Sequence, residues 1–266
     1  MENIKEYYVK KKEYYKNLIG KKYGKNLSVC VLQFGNNEAS NRYVKNKLKD
    51  CEEVGIKTVL LKVSDSLSAY RTAEISKYCF ANATGVIIQM PLPESIDKEE
   101  IIDRVLTPRQ DVDGFCKDSK VNPATPQGIM TYLKDQNYNL TNKNVVIIGR
   151  SDLVGKPLAE MMTKENANVT LLHSKTSKEN LRLSLQKADI VVCATGHRNT
   201  LTNEDFAQST NKPDLVFDVG INFNDEGKLV GDCENLTCCE KTPVPNGVGL
   251  LTRLAIIENL IKLAKN

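Results

Sequence analysis

Long apolar runs are missing from this 266-residue sequence. Nothing approaches the roughly 20 residues that a helix needs to cross a bilayer. The opening segment, MENIKEYYVKKKEYYK, lacks the apolar core of a secretion signal, and its glutamates argue against an organellar transit peptide. Histidine is scarce, with only His173 and His197, and no Cys-x-x-Cys pair occurs, so zinc-site spacing is absent. Charge of one sign is lacking too. The net charge is only +4, and the lysines alternate with glutamate and aspartate, so no nucleic-acid stripe forms. Internal repeats and low-complexity segments are also absent. These gaps point to a cytoplasmic protein with no membrane, nucleic-acid or metal partner.

What is present suits a globular chain. Hydrophobic residues make up 41% and charged residues 26%, which is enough for one large domain or two ordinary ones. Several of the eight cysteines fall in apolar stretches such as VCVLQ and IVVCATG. They read as reduced, mostly buried small hydrophobes.

Short apolar runs alternate with helical patterns. Strands are expected at 27–33, 58–63 and 85–92, the last stopped by prolines, with helices at 40–54, 68–81 and 98–106. The series restarts after Pro123 and Pro126, with strands at 144–149, 168–173, 188–196 and 214–220 and helices at 155–165 and 178–187. Each series implies a mostly parallel sheet covered by helices, and the second reads as a Rossmann-type nucleotide-binding fold. The final stretch is apolar at Leu250, Leu254, Ile257 and Ile261, widened by Ile256, Leu260 and Leu263, so this helix needs substantial burial.

The segment NVVIIGRSDLVGKP runs from strand through turn into helix. Gly149 ends the strand and Gly155 sits just inside the helix. Ser151 stands where G-x-G-x-x-G has its second glycine, and the last glycine comes one residue late. A glycine permits the turn, and the helix N-terminus offers free amides and a positive dipole to a pyrophosphate. An ordinary β-α turn is the plain alternative. An NAD site usually carries an acid about 20 residues further on. Here the strand ends in LLHSKT, giving Ser174, Lys175 and Thr176, while Arg150 lies in the turn. Donors and a cation without a carboxylate suit the extra phosphate of NADP, although such residues can also be solvated strand ends.

Several segments then occur in a specific order: SNRYVKNKLKDCEEVGI, IIQMPLP, DVDGF, PATPQG, GRSDLVGKP, HSKT, ATG, DVGIN, VGD and TPVPNGVG. Over nearly the whole chain the sequence resembles the bifunctional methylenetetrahydrofolate dehydrogenase/methenyltetrahydrofolate cyclohydrolase family. The resemblance implies oxidation of 5,10-methylenetetrahydrofolate with NADP, followed by hydrolysis of the methenyl product to 10-formyltetrahydrofolate. It implies that Tyr43, Lys47, Gln89 and Asp113 line the folate site, with Pro243, Val244 and Pro245 closing it. It implies that Gly149, Arg150, Ser151, Ser174 and Ile221 hold NADP, with Thr195 and Gly196 on the neighbouring turn. It also implies a homodimer formed through the nucleotide domains.

The chemistry fits these residue types. Tyr43 and Lys47 are spaced to share one face of a helix. Tyr43 can stack on the flat part of the folate. Lys47 can move a proton in the hydrolysis, oriented by a hydrogen bond from Gln89. Asp113 can accept donors from the pterin. Singly, each residue has a plainer role: Lys47 as a solvated lysine, Asp113 as a turn cap, Gln89 as a satisfied strand end and Tyr43 as a core aromatic.

The sequence departs from the family pattern in places. Asn246 stands where a glycine is usual, which suits a positive φ better than a close approach to ligand. Leu250 replaces a proline, so the last helix is expected to begin differently. Ala124 replaces a cysteine, and the loop at 116–122 is short. The expected architecture is two α/β domains with the active site in the cleft between them. The first comprises 1–125 with the helix 248–266 packing back onto it, and the second, 126–247, binds NADP. Two other functions remain open: a dehydrogenase without the hydrolase step, and a non-catalytic folate- or NADP-binding protein. The retained Lys47, Gln89 and Asp113 argue against both.

Overall fold

The computed structural model describes residues 1–23 and 26–265. The chain divides into two compact units. The first holds Val9–Ala124 and Arg253–Asn266, and the second holds Met1–Tyr8 and Thr125–Thr252.

In the first unit, β1 (Ser28–Phe34) is flanked by β2 (Lys57–Val63) and β3 (Gly85–Ile88), all parallel, in the order β2-β1-β3. The helices α2 (Glu38–Glu53), α3 (Ala69–Phe80) and α4 (Lys98–Val105) connect or follow these strands. Their starts are set locally: Asn37, Ser68 and Asp97 each cap a helix by accepting a backbone N–H three residues on. Cys30, Leu32, Val86 and Ile88 pack with Ala69 and Phe80 of α3 and Ile101 and Ile102 of α4. β3 ends at Ile88, earlier than expected, because the prolines at 91 and 93 cannot donate to a ladder. The last ladder bond on that side runs from the N–H of Gln89 to the carbonyl of Leu32 (2.9 Å).

In the second unit, β4 (Asn144–Ile148), β5 (Asn168–Leu172), β6 (Ile190–Cys193) and β7 (Leu215–Asp218) form a parallel sheet in the order β5-β4-β6-β7. The helices α6 (Gly155–Lys164) and α7 (Lys178–Leu185) lie between these strands in sequence. The strand order reverses direction between β4 and β6, the place where doubly wound sheets bind nucleotides beyond their carboxyl ends. A short hairpin follows β7, pairing β8 (Asn222–Phe223) with β9 (Leu229–Val230).

Two helices were not expected from periodicity. α1 (Ile4–Lys22) buries Ile4, Tyr7, Tyr8, Tyr15 and Ile19, a helical stripe written largely in tyrosine. α5 (Ala124–Asp135) contains Pro126 in its first turn, where the missing N–H has no intrahelical partner to lose. A proline read as a break is therefore part of a helix. The first eight residues group with the second unit rather than the first. There Tyr7 packs edge-on against Tyr132 (5.1 Å between centroids) and its hydroxyl donates to Asp135 (2.7 Å).

The last helix, α8 (Val248–Leu263), begins before Leu250, and Asn266, the end of the expected helix 248–266, lies outside the described residues. Its residues through Thr252 group with the second unit and those from Arg253 with the first. In the first unit Leu260 comes so close to β3 that a Cβ on Gly85 would sit 2.5 Å from its Cδ2. All eight cysteines are free, and burial pushes the Cys51 thiol up to about 12, so it behaves as an inert hydrophobe. No described helix is long and apolar enough to cross a membrane, and the described residues contain no cluster of metal-ligating side chains.

Candidate functional site

The first unit brings Tyr43, Lys47 and Asp113 together. Tyr43 and Lys47 lie one turn apart on α2, and the Lys47 ammonium stands 4.9 Å from the centre of the Tyr43 ring. The Lys47 Nζ is 3.7 Å from Asp113 Oδ2, and the two side chains are only 6% and 9% exposed. Lys47 is therefore not a solvated lysine, although Lys45 and Lys49 on the same helix are exposed.

Asp113 is held by a backbone strip running beside β3. The N–H of Val86 donates to the carbonyl of Gln110 and the N–H of Val112 donates to the carbonyl of Val86. Asp113 thus emerges near the end of β3, the same end as Gln89. Gly114 turns the chain away at φ +71°, so tightly that a Cβ there would lie 2.6 Å from the nitrogen of Pro123. Burial pushes the Asp113 carboxyl above the usual carboxylate range. The nearby Lys47 opposes that rise and Asp111 adds to it.

Gln89 is buried, but it does not form the expected hydrogen bond to Lys47. Its Nε2 donates to the carbonyl of Met90 (2.6 Å), and its Oε1 has no partner among the described residues. The Met90–Pro91 peptide that follows is cis. A buried amide oxygen without a donor is costly in a finished core.

Sequence reasoning missed Asn259 in this unit. It lies on α8, fully buried, and its Nδ2 donates to the carbonyls of Val112 (2.8 Å) and Asn122 (3.0 Å). It thereby clamps both sides of the short loop that follows Asp113. The signal was an asparagine on the apolar face of the last helix, visible only once that face is known to be buried.

The second unit gathers the residues assigned to the cofactor at the carboxyl ends of its strands. Gly149 donates its N–H to the carbonyl of Leu172 on β5, and Ala194 donates to the carbonyl of Ile148 on β4. The turns carrying Arg150, Ser174 and Thr195 therefore leave neighbouring strand ends. Gly149 has φ +123°, and a Cβ there would lie 2.2 Å from the carbonyl oxygen of Ala194. A Cβ on Gly155 would lie 1.9 Å from the carbonyl oxygen of Gly149. The two glycines thus bring the turn close against the sheet. Ser151, in place of the second glycine, stabilises the turn itself, accepting the N–H of Val154 at Oγ (3.2 Å). α6 has no side-chain cap at its N-terminus; the N–H of Lys156 donates to the backbone carbonyl of Ser151 (3.1 Å), and Pro157 in that turn has no N–H. Arg150, Ser151 and Ser174 are all exposed, as donors to a bound phosphate must be, and Ile221 is 57% exposed despite being apolar.

Pro243 leads into a turn at Val244–Asn246 that contains a cis Val244–Pro245 bond, following Thr242, whose N–H pairs with the carbonyl of Val216 on β7. Asn246 has φ +76°, so its position uses the left-handed conformation that asparagine tolerates.

Comparison with known proteins places both halves of the chain in one family. Residues 2–113 match the family model for the tetrahydrofolate dehydrogenase/cyclohydrolase catalytic domain, and residues 123–266 match that for its NAD(P)-binding domain. The bifunctional protein FolD of Rickettsia peacockii (strain Rustic) is 40% identical over 256 residues, which covers 90% of this chain and 86% of that protein. That of Janthinobacterium sp. (strain Marseille) is 38% identical over 259 residues, covering 91% and 88%. The crystal structure of the bifunctional FolD methylenetetrahydrofolate dehydrogenase/cyclohydrolase from Campylobacter jejuni superposes with a TM-score of 0.88 at 34% identity, over 99% of this chain and 98% of that one. The chain therefore belongs to the tetrahydrofolate dehydrogenase/cyclohydrolase family.

Proposed function

We propose that the protein oxidises 5,10-methylenetetrahydrofolate to 5,10-methenyltetrahydrofolate with NADP and then hydrolyses the product to 10-formyltetrahydrofolate. The observation that carries this reading is the buried Lys47, held between Tyr43 and Asp113 in a chain of this family. A lysine shielded from bulk water beside a carboxylate and an aromatic face is equipped for proton movement on a flat, polar substrate.

NADP, when bound, accepts the hydride from the methylene bridge. The glycine-lined turn at Gly149–Gly155, which leads into α6, fits its pyrophosphate. Arg150 and Ser174 supply a cation and a donor to the 2′-phosphate, with no competing acid at the end of β5. Thr195, Gly196 and Ile221 border the same strand ends.

On the folate side, Tyr43 offers its ring for stacking and Asp113 accepts donors of the pterin. The Oε1 of Gln89, without a partner among the described residues, supplies an acceptor. In the hydrolysis, water adds to the methenyl carbon and the ring opens. Lys47 relays the proton at Nζ, beside the Asp113 carboxyl (3.7 Å). The family resemblance extends the reading to a cytoplasmic homodimer formed through the nucleotide units, which light scattering of the purified protein tests.

Incubation of the purified protein with 5,10-methylenetetrahydrofolate and NADP or NAD tests the reading. It predicts NADPH formation followed by 10-formyltetrahydrofolate. Methenyl accumulation without hydrolysis would leave a dehydrogenase alone, and no reduced cofactor would leave a binding protein.

A further inference from the structure

Two buried aspartates that the reaction does not use stand behind the nucleotide site. Asp232, fully buried, accepts at Oδ2 from the Thr195 N–H (2.6 Å), the Thr195 hydroxyl (2.8 Å) and the Gly196 N–H (3.1 Å). Its Oδ1 accepts from the side-chain amide of Asn222 (2.9 Å), the residue after Ile221. Asp232 is held in turn by Asp218 at the end of β7, whose carboxylate accepts the N–H groups of Asp232 (2.8 Å) and Cys233 (2.9 Å). The N–H of Asp218 donates to the hydroxyl of Thr242, next to Pro243 (2.9 Å). The two carboxylates thus tie together three chain segments that border the cofactor site.

The backbone is shaped around this pair. A Cβ on Gly220 would fall 1.8 Å from Asp232 Oδ1, and one on Gly231 would fall 2.0 Å from Asp218 Oδ2. Each aspartate fills the place where a side chain would stand on the chain segment that carries the other. Burying a carboxylate is expensive unless its oxygens are well supplied with donors. Burial pushes the Asp218 carboxyl up, while the N–H groups of Cys233 and Asp232 oppose that shift. A purely structural core would be served by apolar residues at less cost, so the charge points to a demand for fixed geometry.

We propose that Asp232 is a positioning residue for the dehydrogenase step: it fixes the Thr195–Gly196 turn and Asn222 so that the cofactor's binding surface is set before NADP arrives, and it has no part in the hydrolysis. The proposal rests on the dehydrogenase reading above. Preorganised donors and backbone contribute to rate because they need no rearrangement when the ligand binds.

The test uses the full-length protein and its Asp232→Ala and Asp232→Asn variants. Dehydrogenase kinetics, the Kd for NADP by calorimetry, and hydrolysis of methenyltetrahydrofolate without NADP are measured on each. Asp232→Ala is expected to weaken NADP binding and lower dehydrogenase kcat/KM by about tenfold or more, the scale of lost charge-assisted hydrogen bonds. The hydrolysis without NADP should stay within about twofold, because Lys47 lies in the other unit. Asp232→Asn, which keeps an acceptor, should fall between. If Asp232→Ala does not fold, the split between the two activities in Asp232→Asn decides. Equal loss of both activities, or unchanged NADP affinity and dehydrogenase rate, would overturn the proposal while wild-type protein still reduces NADP. A wild-type protein that forms no NADPH would overturn the dehydrogenase reading, and this inference with it.

Discussion

Lys47 and Asp113 face one another with Nζ and Oδ2 3.7 Å apart, both nearly closed off from water. The distance is too long for a strong hydrogen bond and short enough for a substantial charge interaction. The pair is thus coupled electrostatically without being locked, which leaves the Lys47 Nζ able to take another partner.

Lys47→Met keeps most of the unbranched side chain and removes its ammonium. We expect hydrolysis of methenyltetrahydrofolate to fall by at least about 10²-fold, the lower end of general acid–base catalysis. NADP affinity should be unchanged, because Lys47 lies outside the nucleotide unit. Stopped-flow absorbance of the methenyl species measures the first, and wild-type hydrolysis by the variant would refute the assigned role.

Asp113→Asn separates function from stability. The folded carboxyl lies above its unfolded value because of burial, so the folded protein binds more protons than the unfolded chain between those two values. Stability contributed by the protonated form is present below the unfolded pKa and lost as pH rises through the folded pKa. At neutral pH the charged Asp113 therefore costs stability. Thermal unfolding should show Asp113→Asn with a Tm at pH 7 equal to or above wild type, while its folate KM rises sharply. A Tm several degrees lower would show that the Lys47 interaction outweighs burial.

Arg150→Ala should raise the KM for NADP by about tenfold, as expected for one charge-assisted hydrogen bond to phosphate, with little effect on NAD. Steady-state kinetics with both cofactors checks this. Equal changes would argue against a contact with the 2′-phosphate.

The parallel strands were legible in the sequence because buried strands appear as short apolar runs, such as VCVLQ and NVVII. The nucleotide turn was legible because Gly149 and Gly155 occupy places where a Cβ would collide with backbone. Other features were hidden for physical reasons. α1 presents its buried stripe in tyrosines among lysines, which blurs the helical period. α5 carries Pro126 in its first turn, where proline does no harm. Of the folate-site residues, the spacing of Tyr43 and Lys47 showed a shared helix face. Their meeting with Asp113 depends on a strip at 110–112 that pairs with β3 far downstream of the helix, which local pattern does not reveal. Asp218 and Asp232 sat in plain view within DVGIN and VGD, but only their hydrogen bonds distinguish them from turn residues. Asn246 was read as a tolerable substitute for a left-handed glycine, and its φ of +76° has that character.

The most direct test of the central claim is a coupled time course with purified protein, 5,10-methylenetetrahydrofolate and NADP, following NADPH and folate products together. The account predicts NADPH formation and 10-formyltetrahydrofolate in equal amounts, with methenyltetrahydrofolate appearing only transiently. Failure to form any NADPH, or methenyltetrahydrofolate that persists at its uncatalysed rate of hydrolysis, would contradict it.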